Sequence, residues 1–63
     1  VLRIRPVAAQ TITYWNEAGS DVRTVSGDDD EWLQVETAGS VMLVKSSATN
    51  WTVIFGNGFR LND

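Results

Sequence analysis

The sequence predicts an all-β fold of about six short antiparallel strands, built as a small sandwich, barrel or β-prism-like module. Three observations lead there. Stretches rich in Thr, Val, Ile, Trp and Phe recur at strand length and are separated by Gly, Asn, Asp and Ser. Several alternate apolar and polar residues with period two. No window carries an apolar stripe of period 3.6 through three turns, so no helix is expected.

The elements follow in order. Val1-Leu2-Arg3-Ile4-Arg5 alternates, with Leu2 and Ile4 on one face and Arg3 and Arg5 on the other. Pro6 ends it, because proline gives no donor to a ladder and restricts the residue before it. Gln10-Thr11-Ile12-Thr13-Tyr14 alternates again and places Ile12 and Tyr14 together. Asn16 to Ser20 reads as a turn, Asp21 to Ser26 as a weaker strand, and Gly27 to Asp30 as a loop. Glu31 to Thr37 turns Leu33 and Val35 one way and Trp32, Gln34 and Glu36 the other. Ala38-Gly39 is expected to turn the chain into a hairpin over Gly39–Phe55, and Gly56-Asn57-Gly58 to make a tight turn before a brief last strand, Phe59 to Leu61.

The hairpin differs from the rest, because both its runs are apolar at nearly every position. Val41, Leu43, Val44, Trp51, Val53, Ile54 and Phe55 are therefore expected to form core or oligomer interface, with both faces covered. A chain of 63 residues forms one small domain, residues 1–63, with little material to cover both. Surface scaling gives roughly 4,000 Å² folded against about 10,000 Å² unfolded. If about 60% of the difference is apolar, burial stabilises by on the order of 90 kcal/mol, and ordering the chain at about 1.5 kcal/mol per residue offsets nearly all of it. The absence of Cys and His removes disulfides, thiolate metal sites and the commonest general base. Oligomerisation, or attachment to a larger parent protein, is the expected source of further stability. A first residue of Val points the same way, to a fragment or processed product.

Net charge is −3, and Arg3, Arg5, Arg23, Lys45 and Arg60 are scattered singly, which argues against nucleic-acid binding. No apolar run approaches the roughly 20 residues of a helical membrane span, so no membrane insertion is expected. Asp28-Asp29-Asp30-Glu31 offers oxygen ligands, but it lacks calcium-loop spacing and reads as a solvated acidic loop. Glu17, Asp21, Glu31 and Glu36 single out no catalytic pair. The serines have no His to activate them, and Lys45 and Ser46, as strand neighbours, point to opposite faces. No catalytic residue, metal or cofactor is expected. Among the aromatics, Trp51 reads as packing, whereas Trp15 and Trp32 are the candidates for exposed contacts with a glycan or peptide.

The order of Leu2-Arg-Ile-Arg-Pro-Val-Ala-Ala-Gln-Thr-Ile12, Gly39-Ser-Val-Met-Leu-Val44 and Thr49-Asn-Trp-Thr-Val-Ile54 resembles a module of tailed-phage and prophage tail proteins. The module's general form opens on I-x-I-x-P…G-x-T-I and closes on G-S-V-x-L-V…G-T-x-W-x-V. Ala48 and Ala9-Gln10 stand where that pattern has Gly, and Tyr14 to Asp30 matches nothing specific. The resemblance implies a β-rich part of a tail fibre, tailspike or other virion appendage, assembled as a homotrimer. Its partners would be identical chains, other tail proteins and a host-surface glycan. Two alternatives remain open. One is a monomeric SH3-like or carbohydrate-binding barrel using Trp15 and Trp32; the other is a non-catalytic part of a polysaccharide-degrading tailspike.

Overall fold

Five strands make up one mixed sheet in a computed structural model that describes residues 1–15, 21–27 and 31–62. They are β1 (Leu2–Ile4), β2 (Thr11–Trp15), β3 (Val22–Ser26), β4 (Trp32–Lys45) and β5 (Asn50–Asn62), in the spatial order β1-β4-β5-β2-β3. The turn expected over Asn16–Ser20 and the acidic residues Asp28–Asp30 lie outside the described residues.

The all-β reading holds, but three details of the expected architecture do not. Two strands are long, of 14 and 13 residues. Neither Ala38-Gly39 nor Gly56-Asn57-Gly58 turns the chain; both lie inside strands, so Phe59 to Leu61 continues β5. The cause is the way these glycines meet. Val35 pairs with Phe59 and Ser40 with Asn57, so residues 36–39 of β4 oppose Gly58 alone. A Cβ on Gly39 would lie 2.4 Å from the Gly58 carbonyl oxygen, and Gly58 itself has φ +59°. Two strands without side chains at this point can bend together where either would otherwise have to break.

The third difference is a parallel pair. β2 and β3 form one antiparallel hairpin, β4 and β5 another, and β1 caps the far edge by pairing with β4. The hairpins join through β2 and β5, which run parallel over Thr11–Asn50, Ile12–Trp51 and Thr13–Thr52. The Thr11 amide donates to the Thr49 carbonyl at 2.8 Å, and the Thr11 and Thr13 hydroxyls donate to Asn50 Oδ1 at 2.6 and 3.3 Å.

Period-two alternation explains the core. Ile12 and Tyr14 of β2, Val25 of β3, Leu33 and Val35 of β4, and Val53 and Phe59 of β5 are buried on the inner face. Ile4, Val41, Leu43, Trp51 and Leu61 pack against them. The Tyr14 and Phe59 rings meet edge to face, with centroids 5.6 Å apart. The exposed surface, 4031 Å², is what a chain of this mass ordinarily keeps, about 4,000 Å². The seven core residues are buried within a single chain.

Candidate interaction surfaces

The hairpin residues expected to form core or interface divide by face. Val53 belongs to the core, and Val41, Leu43 and Trp51 pack against the core from the same side. Val44, Ile54 and Phe55 are instead exposed. Within one chain the hairpin therefore has one face on its own core and leaves the other exposed.

A bulge shapes that open face. Met42 pairs with Phe55 and Leu43 with Val53, which leaves Ile54 as the extra residue of β5. Ile54 and Phe55, 53% and 60% exposed, lie in succession at this irregularity. Thr13 and Thr52 are partners in the parallel pair, and two residues farther along these strands come Trp15 and Ile54. Trp15 in turn pairs with Val22. Val22, Trp15, Ile54, Phe55 and Met42 thus succeed one another across β3, β2, β5 and β4, with Val44 beside them. All six are exposed. Their exposed fractions correspond to on the order of 600 Å² of apolar surface, the upper end of what a monomer's largest patch reaches.

Around Trp32, side chains of β1, β4 and the end of β5 form a polar network. The Arg3 guanidinium lies 4.5 Å from the Trp32 ring centroid. The Gln34 amide donates to Glu36, Asn62 donates to Gln34 Oε1, and Arg60 pairs with Glu36 at 3.8 Å. Trp32 is thus partly covered by its own chain, and β5 separates its strand from that of Trp15 in the sheet. The two indoles do not form one platform.

The other sequence candidates for chemistry do not converge either. Asp21 is paired with Arg23 at 3.1 Å, and Glu17 lies outside the described residues. Among the described residues no group of three or more His, Cys, Asp and Glu could hold a metal ion. Ser46 Oγ exchanges hydrogen bonds with Asn50 and Thr52, while Lys45 Nζ sits 5.2 Å from the Trp51 ring centroid, so no Ser–Lys pair forms.

Sequence reasoning missed a second feature, an apolar cavity of about 260 Å³ near the core. Ile12, Leu43 and Trp51 of the sheet line it, with Ile4 at the end of β1. Arg5, Pro6, Val7 and Gln10, from the connection between β1 and β2, complete the lining. That connection is held in place. The Gln10 amide donates to the Val7 carbonyl at 3.1 Å, closing a turn in which Ala9 has φ 67°. The Gly27 amide donates to the Gln10 carbonyl at 3.0 Å, and a Cβ on Gly27 would fall 2.1 Å from the Val7 oxygen. No local pattern announces the cavity, because its lining comes from four separate stretches of chain.

No family model, characterised protein or solved structure matches the chain.

Proposed function

We propose that this chain is a structural module of a phage tail fibre or related virion appendage, associating with identical chains through the outer face of β2, β5 and β4. The observation that carries the reading is the row Trp15, Ile54, Phe55 and Met42, exposed on a sheet whose opposite face already holds the core. The core on the opposite face makes no use of two adjacent outward aliphatic and aromatic residues at a bulge. A protomer that docks does. The resemblance of the Gly39–Val44 and Thr49–Ile54 segments to tail-protein modules supports the same reading and favours a homotrimer. Packing three such faces around an axis would take this apolar row out of water. Other tail proteins and a host-surface glycan are the remaining partners.

Sedimentation equilibrium and native mass spectrometry test this directly. A species of three times the 7.0 kDa chain mass is expected at micromolar concentration. A monomer throughout that range overturns the assembly reading and leaves the monomeric binding module, which the cavity favours.

A further inference from the structure

We propose that the cavity between the Pro6–Gln10 connection and the β4–β5 hairpin is a binding site for a small uncharged aromatic molecule of two fused rings. Volume sets the size of the guest. An apolar cavity of about 150 Å³ accepts benzene, and the cavity here, about 260 Å³, has room for a second ring. Lining sets its polarity. Ile4, Pro6, Val7, Ile12 and Leu43 present hydrocarbon, and Trp51, which packs against the core, adds an aromatic wall. A flat ring system gains dispersion against the first and stacking against the second. Arg5, the charged residue of the lining, already has an interaction of its own, and the fit asks nothing of it.

Water is a poor rival for this space. The Val7 carbonyl accepts from the Gln10 amide and the Gln10 carbonyl from the Gly27 amide, so these groups of the cover are bonded within the chain. Water held against hydrocarbon with few polar partners is readily displaced, and an apolar guest gains affinity by displacing it. The same two bonds hold the connection in place above the sheet, so binding need not order it. Val7, largely exposed, stands where the cavity meets solvent. The residues of the outer apolar row do not line the cavity, so this site stands or falls independently of self-association.

The test titrates the intact chain with benzene and with indole, followed by ¹⁵N-correlated NMR and by nuclear Overhauser contacts between guest and protein protons. Both guests should give saturable shifts at the amides of Ile4, Val7, Ile12 and Leu43, with contacts to the methyls of Ile12 and Leu43. Indole should bind at least about fivefold more tightly, the gain ordinary for its additional heavy atoms. Leu43→Phe fills the place of the second ring, so it should weaken indole more than benzene and erase that preference. Phe55→Ser, on the outer row, should change neither. Absence of saturation by about 5 mM indole, or contacts confined to Trp15, Ile54 and Phe55, overturns the site. An indole-to-benzene ratio near one in the parent, or a preference that persists in Leu43→Phe, overturns the two-ring fit. If Leu43→Phe does not fold, the contacts and the ratio in the parent decide.

Discussion

Ile54 and Phe55 are consecutive in the chain, yet both are exposed, because β5 holds one residue more than β4 between the Met42–Phe55 and Leu43–Val53 pairs. Their neighbour Val53 is buried in the core. Assembly and stability can therefore be separated within three residues. At concentrations too low for association Phe55→Ser should leave the melting temperature nearly unchanged, and it should weaken self-association at least about tenfold by sedimentation. Val53→Ala should cost about 2 kcal/mol in denaturant unfolding, as a truncated core side chain does. A Phe55→Ser chain that assembles like the parent would remove the outer face from the interface.

Gly39 and Gly58 support the bend of the long hairpin in different ways. Gly39→Ala places a methyl 2.4 Å from a backbone oxygen, and backbone cannot rotate aside as a side chain can. It should destabilise by about 1–3 kcal/mol. Gly58→Ala should cost about 1–2 kcal/mol, chiefly through its positive φ. Denaturant midpoints of the two variants check the ranking.

Ala9 occupies a left-handed conformation that glycine adopts without strain. Ala9→Gly should stabilise the protein by about 0.5–1 kcal/mol, the relief of strain less glycine's added entropy in the unfolded chain. Gly27→Ala should act in the opposite direction, because its Cβ would meet the Val7 carbonyl. Loss of protection at the Gly27 and Gln10 amides in hydrogen exchange would mark the released turn.

The Tyr14 hydroxyl is buried without a hydrogen-bond partner. Tyr14→Phe keeps the edge-to-face contact with Phe59 and removes that unpaired group, so stability should stay level or rise by about 1 kcal/mol. Burial pushes the phenol above its ordinary value of 10.0; the Arg23 cation draws it partly back, and Glu31 adds to the rise. The folded state thus holds this proton more tightly than the unfolded chain. The associated stability is complete below about pH 10 and is lost as pH rises from there toward the folded-state value. Unfolding followed through alkaline pH should show a steeper decline in the parent than in Tyr14→Phe.

Much of the inner face was legible in the sequence. Alternation alone placed Ile12 with Tyr14 and Leu33 with Val35, because a buried strand face repeats every second residue whatever lies opposite. Exposure of Trp15 was likewise readable from its place at a strand end. What was not readable depends on partners distant in sequence. The Asn50–Thr11 bond spans 39 residues, and nothing near either residue specifies a parallel neighbour. The bulge at Ile54 exists only relative to β4, so a single-strand pattern cannot display it. The same is true of the glycine bend: Gly39 and Gly58 each resemble a turn residue until they are seen facing each other.

The join between β2 and β5 has a mechanical consequence. It holds two hairpins together through three residue pairs, whereas β4 and β5 are paired along most of their length. Under load or spontaneous opening, the molecule should part along this short zipper while each hairpin survives briefly on its own. Asn50, bonded to both Thr11 and Thr13, acts as its latch. Ile12 and Trp51, partners in the same join, also line the cavity, so the zipper and the cavity wall would open together.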